Sequence, residues 1–157
     1  MKVATRKSVD EQSFTTAFLV DQTPFEVFAA VTDVRGWWTG EITGKSLKVG
    51  DEFTFRYEDL HRSTQRVVEV IPEKRIVWLV TDAHLGFAES PAEWKGTRVV
   101  FDISKKGNKT ELRFTHEGLV PSFECFEACH GGWTFYVENS LRKLITTGQG
   151  EKELPWA

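Results

Sequence analysis

The segment spanning residues 121–147, PSFECFEACHGGWTFYVENSLRKLITT, sets the strongest limit on the fold. Its apolar side chains recur with the 3.6-residue period of an α-helix, which predicts one buried face. That face comprises Phe126, His130, Trp133, Val137, Leu141 and Leu144. A lone helix about 40 Å long cannot bury such a face against itself. The preceding chain must therefore supply an extended apolar surface.

Two features of the predicted helix stand apart from its buried face. Gly131 and Gly132 lie inside it, where glycine is costly, so we expect a bend or a close approach there. Phe135 points away from the buried face on a helical wheel. We therefore expect either a second copy of the chain or its own tail, with Trp156, to cover Phe135.

The chain before this helix is rich in strand patterns. β-Branched and aromatic residues fill one early segment, and period-two alternation marks five later ones that are joined mostly by tight turns. The predicted strands are residues 13–20, 48–57, 63–71, 75–81, 97–104 and 110–117. A meandering antiparallel sheet follows from this order.

Two short helices are expected after the first strand. Thr23-Pro24-Phe25-Glu26 combines an N-cap threonine, a proline at the first helical position and a glutamate three residues after the cap. Asp33 can cap a second turn that ends in Trp37-Trp38. Adjacent residues cannot point the same way on a helix, so we expect one tryptophan inside and the other at a rim.

The connection from Asp82 to Gly96 is long for a compact domain, and such loops are often functional. Gly86 and Gly96 are its candidate hinges, and Phe87 and Trp94 its candidate apolar flaps. We expect it to act as a lid over a cavity that opens near His116 and Trp37-Trp38.

The elements sum to an α+β fold, in which a curved antiparallel sheet wraps around a long C-terminal helix. We expect one domain over residues 1–157, with polar tails at 1–12 and 149–157. Cys125 and Cys129 are four apart on the helix, a spacing poorly suited to a disulfide.

Charge and motifs exclude several classes of function. The formal charge of −3 without basic clusters argues against a nucleic-acid partner. No segment has the length and composition of a signal peptide or a membrane span, so we expect no membrane partner and a cytoplasmic location. Phosphate-binding loops, zinc-ligand quartets and Ser-His-Asp elbows are also missing from the sequence, so we expect no cofactor, no metal and no catalytic residue.

Several motifs resemble one known family. They are TPFEVFAAVTDVRGWW after the first strand, KVGDEFTFRY in the next, VIPEKRIVW across a hairpin and GGWTFYVENSLRKL in the last helix. The chain resembles the START-like, Bet v 1-like (SRPBCC) superfamily, and within it proteins similar to the C-terminal domain of the activator of Hsp90 ATPase. The resemblance covers residues 13–147 and implies a helix-grip fold. Its motifs specify function poorly, since that superfamily includes lipid and hormone binders, polyketide cyclases and co-chaperone domains.

Inward-pointing aromatic and histidine side chains form the candidate site. Many large flat side chains between a sheet and a helix are typical of an apolar pocket, and equally of a filled core. The candidate ligand-binding residues are Trp38, Phe55, Tyr57, Trp78, Phe101, Phe114, His116, Phe126, His130 and Trp133. We expect His116 to orient a ligand by a hydrogen bond. A metal site of His116, His130 and Cys129 is disfavoured, because the helix should carry His130 back towards Phe114.

Three functions stay open at this point. The first is binding of a hydrophobic or aromatic small molecule in the cavity between sheet and helix, as the resemblance implies. A protein-interaction module of the Hsp90-activator type is the second, with a chaperone or a second copy of the chain as partner. The third is a cyclase-like or hydrolase-like enzyme, for which a polar dyad in contact inside a pocket would be the sign.

Overall fold

The computed structural model describes residues 13–38, 40–58, 61–85, 94–120 and 126–151, without the side chains of Leu85 and residues 126–128. Its strands are β1 (Phe14–Val20), β2 (Glu41–Gly44), β3 (Glu52–Tyr57), β4 (His61–Ile71), β5 (Arg75–Leu85), β6 (Arg98–Lys106) and β7 (Lys109–Glu117). The helices are α1 (Pro24–Thr32), α2 (Val34–Trp37), α3 (Phe126–Trp133), a π-helix (Thr134–Leu141) and α4 (Arg142–Thr147). The last three follow one another directly and together form the C-terminal helix.

Within the described residues the strands form one antiparallel sheet in the order β1-β7-β6-β5-β4-β3-β2. Strands β2 to β7 form the expected meander, and β1 pairs with β7, with Phe14 opposite His116. The inner face of the sheet and the C-terminal helix enclose the apolar core. The α+β class and the helix-grip arrangement predicted from the sequence are confirmed.

The start of α1 agrees in detail with the sequence. Thr23 Oγ1 accepts a hydrogen bond from the Glu26 amide at 3.2 Å, and Glu26 Oε1 accepts one from the Thr23 amide at 2.9 Å. This reciprocal pair satisfies two backbone donors that the first turn of a helix leaves unpaired.

The sheet is larger than the sequence patterns predict. β2 was not predicted, and it pairs with β3 through Glu41 opposite Arg56. β5 extends beyond Thr81 to Leu85, where it pairs with His61. The first four residues of the expected lid are therefore strand. The candidate hinge Gly86 and the candidate flap Phe87 lie outside the described residues.

The expectation that one tryptophan of the Trp37-Trp38 pair faces a rim is wrong, because both side chains are buried. α2 ends at Trp37, and Trp38 adopts an extended backbone with φ −96° and ψ 107°. This change of backbone conformation at the helix end turns both indole rings into the core, which a continuous helix would not allow.

The C-terminal helix differs from the expected regular α-helix in its middle. A π-helix, with i to i+5 hydrogen bonds, shifts the faces of the helix relative to an α-helical wheel. Phe135, expected on the back, is buried and contacts the ring of Tyr136 at 5.4 Å. The expected covering residue Trp156 lies outside the described residues.

Gly131 and Gly132 precede the π-helix. A Cβ atom added at either glycine would meet no described atom within 4 Å, so the expected close approach is not found there. After α4 the chain turns back on the helix, where the Glu151 amide donates to Ser140 Oγ at 3.1 Å.

Candidate functional site

Most of the candidate residues meet in the core between the sheet and the C-terminal helix. The buried ones are Trp38, Phe55, Trp78, Phe101, Phe114, His116 and Trp133. Tyr57 is half-buried and packs against this core. The side chain of Phe126 lies outside the described residues. The expectation that His130 faces inward is wrong, because its side chain is exposed. Its ring contacts Phe14 of β1, with the ring centres 4.8 Å apart.

Stacked aromatic rings form the apolar part of the site. Trp38 stacks on Phe55 at 4.2 Å and lies parallel to Trp78 at 6.2 Å. Trp133 from the C-terminal helix approaches Trp38 at 5.2 Å and stacks on Trp94 at 5.7 Å. The interior is thus lined by flat side chains from the end of α2, the sheet, the turn at Trp94 and the C-terminal helix.

A row of polar side chains on β4, which the sequence reasoning missed, lies beside these rings. Gln65 Nε2 donates to Ser63 Oγ at 2.6 Å, and Ser63 Oγ lies 3.1 Å from His61 Nε2. Ser63 and Gln65 are fully buried. We call His61, Ser63 and Gln65 the β4 polar row.

Two irregularities explain why this row was missed. The register of β4 against β5 shifts between Thr64 and Gln65 and again between Val67 and Glu69. Such bulges re-aim the neighbouring side chains. Val67, rather than the predicted Val68, is buried, and Ala83 in the expected lid becomes an inward residue opposite Ser63. The available signal was the alternation of His61, Ser63 and Gln65 in phase with Val67.

His61 and Ser63 form the closest approach to a catalytic pair in the described chain. A serine hydroxyl beside an imidazole is the minimal arrangement of a nucleophile and a base. Burial, however, lowers the pKa of His61 to about 4, so its ring is a weak base. In the described residues no carboxylate hydrogen-bonds to this ring, whereas a catalytic histidine is usually held by such a group.

His116 is held by the protein through both ring nitrogens. The indole N–H of Trp133 donates to Nδ1 at 3.0 Å, and Nε2 lies 2.8 Å from Thr97 Oγ1. Because an indole N–H can only donate, Nδ1 carries no proton, and the neutral ring donates from Nε2 to Thr97. Thr97 in turn donates to the carbonyl of Trp94 at 2.5 Å. Burial, with a smaller contribution from His61, lowers the pKa of His116 to about 3.

Three buried polar atoms beside this network have no hydrogen-bond partner among the described residues. They are Gln65 Oε1, Trp78 Nε1 and Trp94 Nε1. Leaving such a group unsatisfied costs about 1 to 3 kcal/mol, so buried polar groups of native proteins nearly always have a partner. The ring of Trp94 contacts His61, and Trp78 lies two residues before Val80, which is opposite Gln65. The residues that carry the three atoms therefore neighbour the β4 polar row.

A pocket of about 370 Å³ lies at the edge of the sheet beside the core. It is lined by Gly40, Glu41, Arg56, Tyr57 and Glu58. Tyr57 lines this pocket and also packs against the core. Inside the core, burial raises the pKa of Tyr136, and Tyr57 makes a smaller contribution in the same direction. The Tyr136 hydroxyl consequently stays protonated at neutral pH.

The described part of the chain contains no group of three His, Cys, Asp or Glu side chains that could hold a metal ion. His116 is enclosed by Thr97 and Trp133, whereas His130 is exposed and contacts the ring of Phe14. No described helix is long and apolar enough to cross a membrane.

The family of the chain follows from comparison with known proteins. Residues 21–146 match the family described as Activator of Hsp90 ATPase homolog 1-like protein. The chain belongs to this family. The match includes both short helices, the sheet from β2 to β7 and most of the C-terminal helix, and it confirms the resemblance found in the sequence motifs. No curated protein matches the chain.

Solved structures similar to this family member share its fold. The Aha1 dimer from Colwellia psychrerythraea has 24% identity and a TM-score of 0.69, over 88% of this chain and 98% of that one. CalU16 from Micromonospora echinospora has 17% identity and a TM-score of 0.62, over 88% and 78% of the two chains. Protein CV1439 from Chromobacterium violaceum has 18% identity and a TM-score of 0.63, over 85% and 96%. Such distant similarity establishes the fold and leaves function to the site itself.

Proposed function

We propose that this family member binds a hydrophobic or aromatic small molecule between the sheet and the C-terminal helix. The observation that carries the proposal is the set of three unpartnered buried polar atoms, Gln65 Oε1, Trp78 Nε1 and Trp94 Nε1, in an aromatic interior. A ligand with few polar groups in a mostly apolar pocket would satisfy them. The proposed compartment is the cytoplasm.

The side chains around the β4 polar row support this proposal. Ser63 and Ala83 are small and lie opposite each other on neighbouring central strands. Because protein interiors are close-packed, the space beside such small side chains must be filled by larger neighbours or by a ligand. Phe55 lies opposite Ser63 on β3 and contacts the rings of His61 and Tyr136. Trp94 contacts the other end of the row at His61 and adds a second flat apolar side chain.

The proposed entrance is the pocket beside Tyr57. This pocket reaches the sheet edge at Gly40 and Glu41, next to the buried Trp38. The sequence placed the opening near Trp37-Trp38, the 82–96 connection and His116. The proposal retains an opening near Trp37-Trp38. It does not place the opening at His116, since both nitrogens of this ring already have protein partners.

Native mass spectrometry of the purified chain tests the proposal. We expect an additional mass that is released on denaturation and is lost from a Ser63→Phe variant, in which the ring fills the proposed cavity. Thr54→Phe is the matched control, since Thr54 lies one residue before Phe55 on β3, on the opposite face of the sheet. Absence of any bound species, together with no thermal shift from a panel of aromatic compounds, would refute the proposed function.

Self-association is a second candidate, because two of the exposed apolar side chains lie close together in one short connection. Leu47 and Val49, between β2 and β3, are 65% and 57% exposed. The similar Colwellia psychrerythraea structure is a dimer. If this surface binds a second copy or a chaperone of the Hsp90 class, Leu47→Ser with Val49→Ser should lower the sedimentation coefficient or abolish chaperone binding. Leu19→Ser, on the opposite edge strand, is the control.

A further inference from the structure

The unpartnered atoms around the β4 polar row differ in what they need from a ligand. Gln65 Nε2 is committed to Ser63 Oγ at 2.6 Å, so its amide oxygen is the atom that lacks a partner. An amide oxygen needs a donor. The indole N–H groups of Trp78 and Trp94 need acceptors. A complementary ligand must therefore both donate and accept hydrogen bonds in an otherwise apolar interior.

Gln65, whose amide oxygen lacks a donor, lies near Trp78, whose indole N–H lacks an acceptor. Gln65 lies opposite Val80 on β5, and Trp78 lies two residues along β5 on the same face. Diagonal neighbours of this kind are within reach of long and aromatic side chains. Phe53 lies opposite Gln65 on β3 and contacts the Trp78 ring at 4.9 Å, so one apolar ring neighbours both residues.

Charge in the interior restricts the ligand further. The buried polar residues in the described part of the chain include no Asp, Glu, Lys or Arg. Burial also keeps His61 and His116 neutral, because it lowers the pKa of both rings. An ionised ligand would lose its hydration without meeting an opposite charge, which is strongly unfavourable.

We propose that the ligand is an uncharged aromatic compound carrying a hydroxyl group, and that Gln65 is the residue that selects for this hydroxyl. The inference rests on the proposed function. A hydroxyl is the smallest neutral group that donates to the Gln65 oxygen while accepting from an indole N–H. An ether or a carbonyl accepts only, and leaves the Gln65 oxygen without a donor.

Protein-observed NMR titration with 2-naphthol, 2-methoxynaphthalene and naphthalene tests this selection. We expect 2-naphthol to bind about tenfold more tightly than 2-methoxynaphthalene, since one hydrogen bond to a buried partner distinguishes them. Gln65→Leu should reduce this preference to below about threefold while naphthalene still binds. Gln22→Leu is the matched control, because Gln22 Oε1 is also buried without a described partner but lies near Thr110, six residues along β7 from His116.

The outcomes separate this inference from the proposed function. Equal affinities for 2-naphthol and 2-methoxynaphthalene, or a preference that survives Gln65→Leu, would overturn the selection by Gln65 and leave small-molecule binding in place. Equal affinities are also the result expected if buried water satisfies Gln65 Oε1. Failure of all three compounds to bind would overturn both. If Gln65→Leu does not fold, the affinities of the unmodified chain for the two oxygen-bearing probes still decide whether a hydroxyl is selected.

Discussion

The indole N–H of Trp133 donates to His116 Nδ1 over 3.0 Å, and this bond joins the C-terminal helix to strand β7. It also determines the tautomer of His116, so that Nε2–H donates to Thr97, the residue before β6. The histidine that the sequence presents as a ligand-orienting group thus holds three elements of the fold together. Its substitution should first affect stability.

His116→Phe should lower the free energy of unfolding by about 2 to 4 kcal/mol, because it leaves the indole of Trp133 and the hydroxyl of Thr97 without their buried partner. Urea unfolding of the two proteins measures the difference. Thr97→Val, which removes only one of the two bonds, should cost about half as much. An unfolding midpoint for His116→Phe equal to that of the unmodified chain would contradict the bonding pattern.

Stability should depend on pH through His61 and His116. Both rings are neutral in the folded protein down to pKa values of about 4 and about 3, whereas an unfolded histidine is protonated below about 6.5. Their stabilising contribution is therefore complete above about pH 6.5 and is lost as the pH falls towards the folded pKa values. Between about pH 7.5 and about pH 5.5 the free energy of unfolding should drop by about 2 to 3 kcal/mol.

Urea titrations at these two pH values check this loss. His116→Gln should remove about half of the pH dependence, because only His61 then changes its protonation on unfolding. A free energy of unfolding that is constant over this range would mean that the two rings take up protons in the folded chain over the same pH range as in the unfolded chain, which would contradict their burial.

Gly40 should be intolerant of a side chain. Its φ is +144°, and a Cβ atom there would lie 2.6 Å from the ring of Phe55. Gly40→Ala should therefore push Phe55 away from Trp38 and destabilise the chain by about 2 kcal/mol more than Gly107→Ala. Gly107 also has a positive φ, of +63°, but a Cβ atom there would meet open space, so the comparison gives the added cost of the clash and of the more extreme φ at Gly40. Equal thermal unfolding midpoints for the two variants would contradict the close packing of Gly40.

The apolar half of the site could be predicted from the sequence because it follows regular patterns. Period-two alternation in β3, β5 and β7 placed Phe55, Trp78, Phe114 and His116 on the inner face, and the structure has them buried. Strand phase needs only local backbone geometry, which these segments keep up to their bulges.

The polar half of the site could not be predicted in the same way. His61, Ser63 and Gln65 have the composition of a solvent-exposed strand, and their burial depends on the bulges between β4 and β5. The π-helix, which includes the buried Phe135 and Tyr136, was likewise not predicted. An i to i+5 hydrogen-bond pattern has no simple sequence period, so the helical wheel placed Phe135 on the wrong face. His130 lies in α3, before the π-helix, and the wheel placed it inward although its side chain is exposed.

The indole region of a proton–nitrogen NMR spectrum, recorded during titration with 2-naphthol, is the sharpest test of the proposed binding site. The unpartnered N–H groups of Trp78 and Trp94 should shift strongly as the ligand saturates, while the N–H of Trp133, already bonded to His116, should remain nearly unchanged. Saturable binding that leaves the Trp78 and Trp94 signals in place would contradict a ligand site between the β4 polar row and the C-terminal helix.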